Sequence, residues 1–315
     1  MALGRSTTSS IHYEPLSTRL PSSEFVSEPL LPPEPLVSLY DTLRRQQELH
    51  NTSSINKTLL LGIFTTADRF SRRHVIRLTY LRQRPATIDY VFVIGRPRSN
   101  ETDILAYVSL EIEMYSDILI LDEEENMNGG KTYEWFSRVG RDIPSGMYMY
   151  VHKGDDDVWL MIQHLEHVLT VEGADKREGT YLGLQVGNLG YMAGWGYFLS
   201  YDLVKWISID PYPRQHKAGH EDVQTGVWLN EHNKVKNFWN MSLVVFHEAL
   251  WNTKHVDLAG PMESEKTMVI HNLKGDHFFI LAARIFIRDG MPKRCQIPEG
   301  LAWEDLEPYL PQTHL

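Results

Sequence analysis

The sequence predicts an α/β fold with a largely parallel sheet covered by helices on both faces. Strand-sized apolar runs recur at Leu59–Phe64, Tyr90–Gly95, Asp117–Leu121 and Met147–His152. The intervening segments, Phe70–Arg82, Asp103–Tyr115 and Lys131–Arg141, carry apolar residues at helical spacing. Strand and helix in alternation build parallel sheets with both faces buried.

Each element has a local reason. Leu59-Leu60-Leu61-Gly62-Ile63-Phe64 is apolar without interruption, as a strand buried on both faces must be. Thr65–Asp68 is a loop, and the helix after it places Arg73 and Arg77, four residues apart, on one face with Arg72 beside them. Such a face can hold a diphosphate, pair with an acidic cluster, or simply be solvated. The acidic loop Asp122–Glu125 precedes a helix carrying Tyr133, Trp135 and Phe136. Neither a Gly-X-Gly-X-X-Gly turn after the first strand nor a Gly-X4-Gly-Lys-Ser/Thr loop is present, which excludes dehydrogenase and P-loop chemistry.

The fourth strand runs into Lys153-Gly154 and delivers three consecutive carboxylates, Asp155, Asp156 and Asp157. Open α/β sheets bind ligands at the carboxyl ends of their strands. Adjacent carboxylates repel one another and invite a divalent cation. The competing explanation is an N-cap for a helix over Val158–Glu172, with Trp159, Ile162, Leu165, Val168 and Leu169 along one face, although capping needs only one Asp.

The second half changes character. Gly187–Phe198, containing Gly194-Trp195-Gly196, reads as a glycine- and aromatic-rich loop whose backbone can approach a ligand closely. Ser200 is placed to cap a short helix. Glu221 and Asp222 open an amphipathic helix, where a carboxylate either answers the helix dipole or serves as a general base. Met268–Lys274 is strand-like with His271 at its exit, a structural hydrogen-bonding residue or a metal ligand, and His277 is the alternative.

Composition sets the outer limits. The 315 residues carry a formal net charge of −10, which argues against a general nucleic-acid binder. No run approaches the length of a membrane span, and no signal peptide is legible. The lone Cys295 excludes an internal disulfide, whereas Asn-X-Ser/Thr sequons at Asn51, Asn56, Asn100 and Asn240 suit a secretory lumen. Residues 1–57, rich in Ser, Thr, Pro and Glu, read as a disordered tail or stem, with a short charged helix over Leu36–His50 as the exception. Residues 58–290 read as the folded domain and 291–315 as a peripheral segment.

Four blocks occur in a telling order: Arg72-Arg73-His74-Val75-Ile76-Arg77-Leu78-Thr79-Tyr80, Lys153-Gly154-Asp155-Asp156-Asp157-Val158, Tyr191–Ser200, and Glu221-Asp222-Val223-Gln224-Thr225-Gly226. In this order the chain resembles the β-1,3-glycosyltransferases of glycosyltransferase family 31, the galactosyltransferase-type group. The resemblance implies a GT-A type α/β/α sandwich (Rossmann-like) with a mostly parallel mixed central sheet. It implies a hexosyltransferase that inverts the anomeric carbon. The donor would be a UDP-sugar, with galactose or N-acetylglucosamine expected. The cofactor would be Mn²⁺ or another divalent cation, the acceptor a glycan, glycoprotein or glycolipid, the linkage β-1,3, and the location the Golgi lumen or membrane.

Carried over to matching positions, the resemblance makes Asp222 the catalytic base and Asp157 and His271 the metal ligands. Asp155 is expected on the nucleoside and Asp156 beside it. Arg73 and Arg77 would serve the nucleotide and the Gly194-Trp195-Gly196 loop the sugar pocket, with Glu221 a further residue of the donor site. Two departures stand out: Tyr80 where many members carry Trp, and the absence of paired cysteines. The alternative function is a non-catalytic carbohydrate- or nucleotide-sugar-binding protein on the same fold.

Overall fold

A computed structural model describes residues 38–50, 57–98, 100–241, 246–248, 250–252, 255–257 and 267–287. Residues 1–37, Asn51, Asn56, Cys295 and the segment 291–315 lie outside the described residues.

Helix α1 (Leu39–His50) is followed by the expected alternation: β1 (Lys57–Phe64), α2 (Phe70–Leu78), β2 (Ile88–Arg96), α3 (Thr102–Tyr115), β3 (Ile118–Glu124), α4 (Lys131–Asp142) and β4 (Tyr148–Asp155). Then come β5 (Trp159–Leu160), α5 (Ile162–His167), β6 (Thr180–Gln185), β7 (Met192–Ser200), α6 (Tyr201–Ile209), α7 (Pro211–Gln215), α8 (Glu221–Glu231) and β8 (Asn237–Asn240). Short strands β9 (Phe246–Glu248), β10 (Leu250–Asn252), β11 (His255–Asp257) and β12 (Val269–His271) precede the final described helix, α9 (Asp276–Phe286).

The seven-stranded sheet has the order β3-β2-β1-β4-β7-β6-β8. Strands β3, β2, β1 and β4 pair in parallel, as do β6 and β8, while β7 runs antiparallel to both its neighbours. One face packs against α2, α3, α5 and α9 around Ile76, Val108, Leu165 and Phe279. The other packs against α1, α4, α6 and α8 around Leu43, Trp135, Val204 and Trp228. The mostly parallel, mixed α/β/α sandwich expected from the sequence is therefore the architecture found.

Tertiary pairing overrode local pattern in three places. Leu36–His50 falls in the expected tail, yet α1 buries Leu39 and Leu43 completely, about 1.5–3 kcal/mol for each side chain. Its Gln46 donates to the Tyr90 carbonyl at 3.1 Å and its Gln47 to Asp89 at 2.7 Å, so the domain takes in part of the segment expected to be a stem. Trp159 and Leu160, expected on a helix, form β5 and pair antiparallel with β12. The N-cap of α5 is Met161, so none of Asp155, Asp156 and Asp157 caps that helix. The Gly187–Phe198 loop is strand β7 from Met192 onward, held between β4 and β6. Ser200 does precede α6, but its hydroxyl accepts from the Thr180 N–H at 2.8 Å and not from the helix.

Candidate active site

The end of β4 fixes the carboxylate triplet. Phe64 on β1 is in register with Asp155, and Gly154 pairs with Gly196 on β7. After Asp155 the chain turns and enters β5, whose pairing of Trp159 with Ile270 sets Asp157 beside the exit of β12. The three carboxylates consequently face three different environments.

Asp155 accepts from Lys153 Nζ at 2.9 Å and keeps part of its side chain exposed. Asp156 is buried; Thr65 Oγ1 donates to one of its oxygens at 2.6 Å and Arg69 to the other at 2.8 Å. Burial pushes its carboxyl above the usual range, against the pull of Thr65 and Arg69. Asp157 is buried as well, with Lys274 on its Oδ2. Its Oδ1 is buried and accepts no hydrogen bond, while His271 Nε2 stands 3.6 Å away.

Lys153 organises the opposite side. Wholly buried, its ammonium donates to Asp155, to Glu221 Oε1 at 2.8 Å and to the Gly194 carbonyl, joining β4, β7 and the start of α8. Burial alone would lower its pKa, but the charges of Asp155 and Glu221 outweigh that and raise it. Tyr197 also donates to Glu221, at 3.3 Å. Gly194 makes the approach possible: a Cβ there would fall 2.3 Å from Glu221 Oε1 and 3.4 Å from Asp222 Oδ2. Asp222 is half-buried at the first turn of α8, and its Oδ1 accepts from the Val223 N–H at 2.8 Å. On the next residue of the same strand, the Trp195 ring packs at 4.3 Å on His271.

The structure thus gathers Asp155, Asp157, Gly194, Trp195, Gly196, Asp222 and His271 at one end of the sheet. Two expectations need correction. Arg73 and Arg77 do not face this cleft. Arg73 is fully buried and pairs with Glu111 while donating to the Thr66 and Ala67 carbonyls. Arg77 grips Asp117 with two bonds of 2.7 and 2.8 Å and gives its third nitrogen to Glu111 at 2.6 Å. Both guanidinium groups are buried and held by carboxylates inside the protein, so neither is presented to a nucleotide. Glu221, mostly buried, is held by Lys153, its carboxyl pushed up by burial against the pull of that charge.

Other charges reach the triplet. Arg69 is half-exposed on Asp156. Buried Arg72 donates to the carbonyls of Asp156 and Leu273 at 3.0 and 2.7 Å and pairs with Asp276 at 2.7 Å, clamping the triplet to the turn before α9. In the sequence, Arg72 differs from Arg73 only by lying one position off the shared face. Lys153 and Lys274 gave a weak signal, each a short step from a candidate ligand.

Among the described residues, no group of three or more His, Cys, Asp or Glu is arranged to hold a metal ion. The unbonded Oδ1 of Asp157 facing His271 is nonetheless what a cation bound by two side chains and a ligand's own oxygens requires, so these residues fit such a group.

The family model described as Galactosyltransferase matches residues 71–188. Human N-acetyllactosaminide beta-1,3-N-acetylglucosaminyltransferase 2 is 28% identical over 142 residues, which is 42% of this chain and 34% of the relative. The mouse protein of the same name is 26% identical over 139 residues, with the same coverage of 42% and 34%. The chain therefore spans about a third of the length of these curated relatives. Among solved structures, the galactosyltransferase LgtC with donor and acceptor sugar analogs aligns at a TM-score of 0.41 and 11% identity, covering 80% of this chain and 100% of that one. Mouse xyloside xylosyltransferase 1 aligns at 0.36 and 8%, covering 69% and 98%.

Proposed function

We propose that this protein, whose residues 71–188 match the family model described as Galactosyltransferase, is an inverting, metal-dependent hexosyltransferase that moves a sugar from a UDP-sugar to a carbohydrate hydroxyl, forming a β-1,3 linkage. One observation carries the reading. Adjacent residues of β7 touch the two groups the reaction needs: Gly194 admits Asp222, and Trp195 packs on His271 beside Asp157.

Asp157 and His271 would hold the divalent cation, Mn²⁺ by family expectation. When bound, it supplies Lewis-acid neutralisation of the charge that builds on the leaving diphosphate. Asp155, part-exposed at the tip of β4, would meet the nucleoside. The Trp195 face offers an apolar wall to the C–H side of a sugar ring. Asp222 takes the proton from the acceptor hydroxyl as its oxygen attacks the anomeric carbon and the bond to the β-phosphate oxygen breaks, releasing UDP. A single displacement of this kind needs no enzyme nucleophile.

The test is UDP release over a panel of UDP-sugars with Mn²⁺, followed by an acceptor screen. Asp222→Asn is expected to bind donor normally and lose turnover, and Asp157→Ala to lose Mn²⁺-dependent activity. Full activity in Asp157→Ala would sink the cation assignment. UDP-sugar binding without turnover over a broad acceptor panel would instead support a carbohydrate-binding protein on this fold.

A further inference from the structure

Lys274 already occupies the carboxylate proposed for the cation. Its ammonium sits on Asp157 Oδ2, while Oδ1 of the same carboxylate is buried and accepts no hydrogen bond. We propose that Lys274 is a built-in counter-ion for Asp157 that a divalent cation displaces. Cation binding at this site is then an exchange of one positive charge for another, and not a simple addition. The proposal rests on the cation reading above, and the experiment separates the two.

The backbone around Lys274 is fixed. The Leu273 N–H donates to the Asp157 carbonyl at 2.9 Å. From the other side, Arg72 donates to the Leu273 carbonyl at 2.7 Å and to the Lys274 carbonyl, and it pairs with Asp276 at 2.7 Å. Asn272, in the left-handed region at φ 73°, turns the chain from β12 toward α9. Residues on both sides of Lys274 are thereby tied to the triplet, so its Cα stands opposite Asp157 whatever its side chain does.

The side chain is another matter. It is 65% exposed, against 5% for Asp157. Lysine's flexible stem can swing its ammonium into water through rotamer changes alone, with no movement of the backbone. One partner is thus buried and the other exposed. A buried carboxylate without a counter-charge is costly, and Lys274 relieves that cost when no cation is present. A divalent ion brought to Oδ1 would meet the ammonium on the neighbouring oxygen as a like charge, and the exposed partner is the one able to leave.

The consequence is an affinity set partly by competition. An ion pair with one exposed member is worth up to about 1 kcal/mol, so losing it should tighten Mn²⁺ binding roughly threefold to fivefold. Mn²⁺ is titrated into the full chain with and without UDP, and free Mn²⁺ is followed by electron paramagnetic resonance against a blank containing UDP alone. Lys274→Met should bind Mn²⁺ more tightly by that factor, and Lys274→Arg, which keeps the charge, should match the wild type. In parallel, acetylation of Lys274 read by mass spectrometry should speed up when Mn²⁺ is added to the wild type. In Asp157→Asn it should be fast with or without the ion. Wild-type or weaker Mn²⁺ affinity in Lys274→Met, or acetylation at Lys274 indifferent to Mn²⁺, overturns the exchange. Mn²⁺ retention that is the same in Asp157→Asn as in the wild type, nil included, overturns the cation reading itself.

Discussion

Lys153 Nζ lies 2.8 Å from Glu221 Oε1, and the lysine side chain has no contact with solvent. This pair locks the strand carrying the Asp triplet to the helix carrying Asp222. Lys153→Met should cost about 3–5 kcal/mol of stability, because Glu221 would stay buried without its counter-charge. Urea unfolding measures it. The double variant Lys153→Met/Glu221→Gln should lose less than the sum of the single losses, and strict additivity would show that the two residues act separately.

Arg77 holds the fold together, although its place on the helix face suggests a nucleotide contact. With its guanidinium engaged by Asp117 and Glu111, Arg77→Leu should destabilise by about 3 kcal/mol or more. UDP affinity of the protein that remains folded should be unchanged. A large loss of UDP affinity at full stability would return this face to the nucleotide.

Gly194→Ala tests the approach of α8 to β7. The new methyl would lie 2.3 Å from Glu221 Oε1, an oxygen that Lys153 holds in place. The start of α8 must yield, and Asp222 moves with it. Displacing a reacting group by about 1 Å can lower the rate roughly a hundredfold. The expected result is a fall in kcat with donor binding nearly intact, and unchanged kcat would separate Asp222 from the reacting centre.

His152 should contribute to the acid limb of stability. Burial, with the neighbouring Lys153 charge adding to it, lowers its pKa from 6.5 to about 3. Below pH 6.5 the unfolded chain binds a proton there that the folded chain refuses, so stability falls with pH until the folded pKa is reached. Between pH 7 and 5 the loss is about 2 kcal/mol, at roughly 1.4 kcal/mol per pH unit below 6.5. His152→Leu should remove that part of the pH dependence in urea unfolding. An unaltered acid limb in this variant would assign it to another group.

The strands of the first half were readable because each is a contiguous apolar run, and such runs have few ways to be buried. Strand β7 was not, since its glycines and aromatics look like a loop until β4 and β6 close on either side. Trp159 and Leu160 fit a helical stripe equally well, and only pairing with β12 decided for a strand. The triplet, Asp222, Trp195 and His271 could be picked out as candidates from residue type and order, without showing which charges were available.

By itself the sequence determined the α/β alternation and the place of Asp155, Asp156 and Asp157 at a strand exit, because both follow from neighbours along the chain. Tertiary structure alone decided how the charges are used. Arg77 meets Glu111 across 34 positions, Glu221 meets Lys153 across 68, and Arg72 reaches Asp276 across 204. A buried charge takes whichever opposite charge the fold brings near it, and pairings at such separations are set by the packing of whole elements and not by local pattern.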